Sequence, residues 1–351
     1  MCSEQYSGQD ERTEPLPLVE TPFASLRGRL KLPLIAAPMF LVSGVRLVVA
    51  ACREGIIGAF PTANCRSADE LAIWLRQIRT ALHREEARLG KRSAPYCPNL
   101  IVHRSNRRLR EDLVVLQRHR PEIVIASVGS PEPVLRPLHD CGALVLADVA
   151  SLRHAEKAVE IGADGLVLLT AGAGGQTGWL NPLAFVRAVR TFYSGPLVLA
   201  GGISDGYALL MAQLMGCDLA YMGTKFIATR ESLASDGYKS MLVKANADDV
   251  LLTRAFTGLE TNMLRPSIVA AGLDPDNLPL RGMIDVSKDI DVEAGADRPQ
   301  RWRDVWSAGH SVSGVSAVLP VAELVARSTR EYHDARRGLA ARFGNLFDAT
   351  R

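Results

Sequence analysis

The sequence lacks any pair of cysteines with the spacing of a metal site. No two of its six cysteines are separated by only two residues, and most of them lie in apolar segments. This distribution favours reduced thiols in a protein core over disulfides or a zinc centre. We therefore expect a cytoplasmic protein without a structural metal.

Long apolar runs and an excess of one charge are also missing. No apolar segment approaches the roughly 20 residues that span a bilayer, and the N-terminal residues are polar rather than signal-like. The net charge is +3, with 41 basic and 38 acidic side chains interspersed along the chain. This composition speaks against nucleic-acid or membrane partners. A hydrophobic fraction of 47% predicts a sizeable core.

Short apolar segments alternate with helical patterns from about residue 30 to residue 229. We predict eight strands, in the segments LPLIAAPMF, GIIGAFPTAN, PYCPNLIVH, EIVIASVGS, ALVLADVAS, GLVLL, PLVLAGGIS and LAYMGTKFI. Their spacing of about 20 to 25 residues suits a strand followed by a crossover helix. The pattern predicts an α/β protein with a (β/α)8 TIM barrel. A doubly wound sheet is the alternative, and the absence of an early G-x-G-x-x-G motif makes it less favoured.

The same pattern divides the chain into regions. Residues 1–20 are polar, and we predict a flexible arm. Residues 21–229 and 300–351 are predicted to form the barrel with its closing helices. Residues 230–299 contain no further strand–helix unit and are predicted to be a small helical insertion after strand 8 that covers the barrel mouth. The insertion and the closing helices are candidates for a homodimer interface.

The carboxyl ends of barrel strands build one pocket, and two predicted strands end in phosphate-type loops there. Strand 7 ends in Gly201 and Gly202, and strand 8 ends in Gly223 and Thr224. Glycine exposes backbone amides and the threonine hydroxyl adds a donor, as in the phosphate sites that barrels commonly form on these strands. The alternative is that the glycines only shape the barrel corners. Lys225 either adds positive charge to this site or is a surface residue, and the second interpretation is favoured.

The segment after strand 6, AGAGGQTGWLNP, carries few functional side chains. Gly174 and Gly175 allow backbone to approach a flat ligand, and Gln176 is the first polar side chain after them. Asn181 is a candidate helix N-cap ahead of Pro182. The alternative reading is a strand-to-helix turn with glycines for packing. A surface of backbone without side chains, opposite a phosphate site, predicts a planar phosphorylated ligand. Flavin mononucleotide (FMN) fits this description.

Six segments together resemble a known family: AAPMF, PNLIV, GAGGQTGWLNP, LAGGIS, AYMGTKFIAT and WSAGHSVSGV. They are similar to the nitronate monooxygenases, formerly called 2-nitropropane dioxygenases, from about residue 30 to residue 335. The resemblance implies a TIM barrel that binds FMN and no metal. It implies these contacts: Pro38, Met39, Gly174 and Gly175 at the flavin ring, Asn99 at the ring's polar edge, and Gly201, Gly202, Gly223 and Thr224 at the phosphate.

Three positions depart from the family pattern. Gln176 stands where the family has the histidine that removes a proton from a nitroalkane, and an amide cannot titrate near neutral pH. Asp148 stands where a lysine is often found, and its carboxylate would oppose an anionic flavin unless it is protonated or paired, for instance with Arg153 or His154. His310 stands where the family usually has glutamine.

His310 has two interpretations. In the first, histidine and glutamine have exchanged places across the pocket, and His310 acts as the acid or base. In the second, His310 caps the following helix or contacts the phosphate.

The leading functional prediction is an FMN-dependent oxidoreductase that oxidises a nitronate or similar carbanion with O2. The alternative is an FMN reductase that takes hydride from NAD(P)H and passes it to an enoyl thioester or a quinone. A non-redox barrel that recognises a sugar phosphate is the third possibility, and it predicts a colourless protein.

Overall fold

Eight parallel strands close into a barrel in the computed structural model, which describes residues 24–279, 284 and 304–348. The described strands are β1 Leu34–Ala36, β2 Ile57–Pro61, β3 Tyr96–Ile101, β4 Ile123–Ser127, β5 Leu144–Val149, β6 Gly165–Leu169, β7 Gly175–Gln176, β8 Leu197–Ala200, β9 Leu219–Met222, β10 Val250–Thr253 and β11 Thr261–Leu264. The barrel order is β1-β2-β3-β4-β5-β6-β8-β9, and β9 pairs with β1 to close it. The predicted TIM barrel is therefore confirmed.

Helices surround the barrel. They are α1 Ala24–Arg27, α2 Val45–Arg53, α3 Ala68–Leu89, α4 Leu109–His119, α5 Glu132–His139, α6 Leu152–Glu160, α7 Pro182–Val189, α8 Gly206–Met215, α9 Thr224–Ile227, α10 Asp236–Lys244, α11 Arg265–Ala270 and α12 Val321–Asp348. The long closing helix α12 packs mainly against α8. No described helix is long and apolar enough to cross a membrane.

Alternate residues of the barrel strands fill the barrel interior. Ile35, Cys97, Leu146 and Val198 belong to one buried cluster there, and Leu26 of α1 packs in the same cluster. The residues between them point outward to the helices in two further clusters. Because both faces of each strand are buried, the strands read as nearly continuous apolar runs. A polar residue at an inward position is therefore a marked exception.

Helix α7 begins where the sequence predicted it. The Asn181 side chain accepts a hydrogen bond from Leu183 N–H at 2.9 Å, and Pro182 occupies the first helical turn. This cap ends the glycine-rich segment that follows β6. The loop between β6 and α7 is thus held at the end that leads into α7.

The insertion is not purely helical, although the sequence predicted a helical insertion with helices at about residues 235–244 and 265–271. Those helices are present as α10 and α11, and between them lies the antiparallel hairpin of β10 and β11. β11 also pairs with β7, so that Thr261 lies opposite Gln176 and Asn262 opposite Gly175. The insertion is therefore joined by a sheet to the loop after β6. The predicted N-terminal arm at residues 1–20 lies outside the described residues, as does most of 280–303.

Candidate active site

A cavity of about 260 Å³ opens at the carboxyl ends of the barrel strands. Eleven of the twelve residues that the sequence predicted for the site line it: Pro38, Met39, Asn99, Asp148, Gly174, Gly175, Gln176, Gly201, Gly202, Gly223 and Thr224. The twelfth residue, His310, does not. The strand ends therefore converge on one pocket, as expected for a barrel.

Two consecutive glycines after β8 have different roles. Both have positive φ angles, +131° at Gly201 and +73° at Gly202. A Cβ at Gly201 would lie 2.3 Å from Thr170 Oγ1, whereas a Cβ at Gly202 would meet no heavy atom within 4 Å. Gly201 is thus required for packing at the barrel corner. Gly202 presents a bare backbone to the cavity, as an anion site needs.

The end of β9 forms the adjoining wall. Thr224 is buried, and its Oγ1 accepts a hydrogen bond from Gly309 N–H at 2.9 Å, which leaves its proton for donation to a ligand. A Cβ at Gly223 would make only ordinary contacts with Ala37 and Met39. The prediction for Lys225 is wrong: its side chain is buried, and burial lowers its pKa.

One side of the cavity is the loop after β1, which contains Pro38 and Met39. Asn64 holds this loop through three hydrogen bonds. Its Oδ1 accepts from Leu41 N–H at 2.9 Å, and its Nδ2 donates to Met39 O at 3.0 Å and to Ser43 O at 2.8 Å. Leu41 has a φ of +57°, an unfavourable angle that these contacts stabilise. Asn64 therefore positions Met39 without lining the cavity itself.

The opposite side is the loop after β6. A Cβ at Gly174 would lie 2.7 Å from Gly309 N, so only glycine fits between the two backbones. Asn262 of β11 is buried and donates from Nδ2 to Ala173 O at 2.7 Å. Together with the β7–β11 pairing, these contacts fix the bare backbone beside the cavity. Gln176 is half-buried and lines the cavity next to this backbone.

His310 lies on the other side of the same loop. Its backbone N–H donates to Gly172 O at 2.9 Å, and a Cβ at Gly172 would lie 2.7 Å from His310 Nδ1. The imidazole is exposed. The structure therefore does not bring His310 and Gln176 to a shared pocket. It also provides no capping hydrogen bond from the His310 side chain to the short helix His310–Gly314, whose N-cap is Gly309.

Polar side chains lie deeper in the cavity. Asn99 is buried, and its Oδ1 accepts from Ser127 Oγ at 3.2 Å. Asp148 Oδ1 and the Tyr221 hydroxyl are buried, and neither has a hydrogen-bond partner among the described residues. Burial raises the pKa of Asp148 to about 8. Burial, together with the charge of Asp148, raises the pKa of Tyr221 well above its usual value.

The two residues that the sequence suggested as partners of Asp148 do not lie near it. Arg153 and His154 are exposed on α6, outside the barrel. Asp148 instead follows Leu146 by two residues and so points inward. Of the two alternatives, the burial of the unpaired Oδ1 atom favours the protonated form over pairing with Arg153 or His154.

Sequence reasoning missed several lining residues. Tyr221 was predictable, because it follows Leu219 by two residues on β9 and therefore faces the barrel interior as Leu219 does. Tyr238, Thr257 and Thr261 of the insertion had no such signal, since their place depends on how the insertion docks. Tyr238 stacks on Trp306 at 5.0 Å between ring centroids, and its hydroxyl donates to Ser307 O.

A family model described as nitronate monooxygenase matches residues 93–331. The chain belongs to the nitronate monooxygenase family. Members are oxidoreductases that use flavin, and the chain is an enzyme of this kind. The sequence resemblance is thereby confirmed over two thirds of the chain.

Two curated relatives and one solved structure illustrate the range of this similarity. A nitronate monooxygenase of Paraburkholderia phytofirmans is 29% identical over 62% of this chain and 63% of its own length. A Mycobacterium tuberculosis protein named (3aS,4S,5R,7aS)-5-hydroxy-7a-methyl-1-oxo-octahydro-1H-indene-4-carboxyl-CoA dehydrogenase is 25% identical over 72% of this chain and 68% of its own length. The chain thus spans about two thirds of each relative.

The solved structure is FabK from Thermotoga maritima. It superposes with a TM-score of 0.73 at 21% identity, covering 92% of this chain and 99% of that one. At this identity the likeness supports the fold and no particular reaction.

Proposed function

We propose that this member of the family is an FMN-dependent oxidoreductase that oxidises a preformed nitronate, or a similarly stabilised carbanion, with O2. The observation that carries the proposal is a cavity with bare backbone on its walls and an amide, Gln176, in place of a base. A substrate that arrives as an anion needs no proton abstraction, so this lining suits it.

The lining fits FMN at both ends of the molecule. The open backbone at Gly202 and the Thr224 hydroxyl are suited to a phosphate, since a Cβ at Gly202 would project into open space. The Met39 loop and the Gly174–Gly175 backbone leave a side-chain-poor space for a flat ring. FMN would supply the two-electron chemistry, while these residues bind and orient it.

Among the described residues, the remaining lining of the cavity holds no side chain that is mostly in its basic form at neutral pH. Among the described residues, the ionisable side chains that line the cavity are Asp148, Tyr221 and Tyr238. Burial raises the pKa of all three, so each is mostly protonated at pH 7. Gln176 can accept or donate a hydrogen bond to a substrate oxygen, but it holds no proton to exchange. The chain is therefore arranged to orient a carbanion and not to generate one.

The test is anaerobic mixing of the FMN-loaded protein with three reductants in turn: a nitronate, the corresponding neutral nitroalkane, and NADH or NADPH. We expect rapid loss of flavin absorbance with the nitronate alone, and its recovery on admission of O2. Bleaching by a reduced nicotinamide but not by the nitronate contradicts the proposal.

A second candidate is the NAD(P)H-dependent reduction of an enoyl thioester or a quinone. Ile101 at the end of β3 lines the cavity, and the loop that follows it carries exposed Arg104 and Arg107. Guanidinium groups on a loop that follows a cavity-lining strand suit the phosphates of a thioester carrier, and one relative is named for a CoA ester. Bleaching by NADH or NADPH, with reoxidation by an enoyl-CoA, is the outcome that this candidate predicts.

A further inference from the structure

Two buried oxygen atoms face the cavity with no partner among the described residues. They are Asp148 Oδ1 and the Tyr221 hydroxyl, from β5 and β9. Both side chains occupy inward positions of the barrel, where nearly all neighbours are aliphatic. Buried polar groups almost always find a hydrogen-bond partner, because leaving one unpaired is costly. Two such groups in one cavity indicate that a bound ligand completes them.

Among the residues that the structure describes, none that faces Asp148 is a cation. The strands on either side of β5, which are β4 and β6, contain no ionisable residue. The ionisable groups that face Asp148 are Cys97 of β3 and Tyr221 of β9, and the pKa of each is raised by burial, so both are neutral at pH 7.

The helices that pack on the outside of β5, α5 and α6, direct their charged residues to solvent. These exposed residues are Glu132, Arg136, His139, Arg153, His154, Glu156, Lys157 and Glu160. No described residue therefore compensates a negative charge on Asp148. Its burial raises the pKa to about 8, which leaves the carboxyl protonated at neutral pH.

A protonated carboxyl is a hydrogen-bond donor, whereas a carboxylate can only accept. The ring of FMN carries carbonyl oxygens and ring nitrogens that accept hydrogen bonds. We propose that Asp148 binds FMN in its protonated form, by donating a hydrogen bond to an acceptor of the flavin ring. Where the family resemblance implies a lysine, a neutral acid then serves as the donor. This inference rests on the proposed FMN dependence of the protein.

The proposal predicts how FMN affinity depends on pH. FMN binds the protonated form, so binding is unaffected by pH while Asp148 is protonated in the free protein. Above pH 8 the carboxyl must regain its proton to bind, and the Kd rises toward tenfold per pH unit. Between pH 7 and pH 9.5 the expected increase is about thirtyfold for a pKa of about 8.

The experiment is a titration of FMN fluorescence quenching from pH 7 to pH 9.5 with three full-length proteins. The wild type is expected to lose affinity about thirtyfold. Asp148→Asn keeps a donor of the same shape but cannot ionise, so its Kd should stay within about twofold across this range. Tyr221→Phe removes the other unpaired oxygen and keeps Asp148, so it should retain the slope of the wild type.

The control variants also separate other sources of pH dependence. Ionisation of the cofactor itself would produce the same slope in Asp148→Asn as in the wild type, and that result overturns the proposal. A wild-type Kd that is flat from pH 7 to pH 9.5 also overturns it, and leaves the FMN dependence standing. Should Asp148→Asn fail to fold, Asp148→Ser takes its place, because it also removes the titrating carboxyl: its Kd should not rise with pH, and a slope as steep as that of the wild type overturns the proposal. Absence of quenching at every pH in all three proteins contradicts FMN binding and this inference with it.

Discussion

At the scale of single residues, we propose that Gln176 determines which substrates react. Its side chain lines the cavity, and its backbone is fixed by pairing with Thr261. The resemblance places a catalytic histidine at this position, and an amide has the donor and acceptor groups of histidine without its titration. The cavity is therefore expected to accept anionic substrates and to leave neutral nitroalkanes unreacted.

The variant Gln176→His tests this role. The wild type should consume O2 with a nitronate and not with the neutral nitroalkane. Gln176→His should gain nitroalkane oxidation by roughly a hundredfold or more, because general-base catalysis contributes about that much. This activity should rise with pH through a pKa near 6.5, as the imidazole loses its proton. A variant that retains FMN and nitronate oxidation but gains no nitroalkane oxidation at any pH contradicts the assignment.

For His310→Ala we expect no change in FMN binding or in the reaction. The imidazole is exposed and lies outside the cavity, against Gly172. We expect the Kd for FMN to change by less than about twofold and the pH profile of nitronate oxidation to keep its shape, since no lining group is lost. A lost limb of the pH profile would instead return His310 to the mechanism as the acid or base.

At the scale of elements, the loops after the strands carry the binding groups, and glycine has three distinguishable functions in them. At Gly202 the missing side chain leaves space for a ligand, and at Gly201 it prevents a clash with Thr170. Gly162, in the turn between α6 and β6, only accommodates a positive φ. Alanine at a left-handed position costs about 1–2 kcal/mol from the backbone alone. The three positions thus separate ligand binding from strain.

Alanine substitutions at these glycines should have three different outcomes. Gly162→Ala and Gly202→Ala should each lower the free energy of unfolding by about 1–2 kcal/mol. Gly201→Ala should lower it by about a further 1–3 kcal/mol, because the new Cβ overlaps Thr170. Only Gly202→Ala should weaken FMN binding while leaving the fold largely intact, by about tenfold or more. Chemical denaturation and FMN titration measure the two effects, and equal FMN affinity in Gly162→Ala and Gly202→Ala would exclude Gly202 from the binding site.

The hairpin of the insertion supports the cavity from outside the barrel. Asn262→Leu removes the hydrogen bond to Ala173 O and leaves a buried carbonyl unpaired, at a cost of about 1–3 kcal/mol. Because this bond fixes the loop at Gly174, FMN binding should weaken together with stability. Asn246→Ala is the matched control: its side chain caps an exposed turn of the same insertion, so stability should fall by about 1 kcal/mol without a change in FMN affinity. Equal FMN affinities in the two variants would show that the hairpin does not position the loop.

At the scale of the whole molecule, the sequence predicts what depends on local periodicity. The eight strands, the cap at Asn181 and the convergence of strand ends follow from apolar runs and turn residues. The pairing of β11 with the two-residue strand β7 did not follow, because it joins segments some 85 positions apart without a repeating pattern. The orientation of the His310 side chain and the burial of Lys225 depend on three-dimensional packing, and no pattern in the sequence predicts them.

We propose for the whole molecule that one cavity, formed by barrel and insertion together, binds FMN by its phosphate and its ring. The most direct measurement is a comparison of FMN and riboflavin by fluorescence titration at pH 7. The account predicts that FMN binds at least about a hundredfold more tightly, because only FMN carries a phosphate for the backbone at Gly202 and the Thr224 hydroxyl. Equal affinities for FMN and riboflavin, or no binding of either, would contradict it.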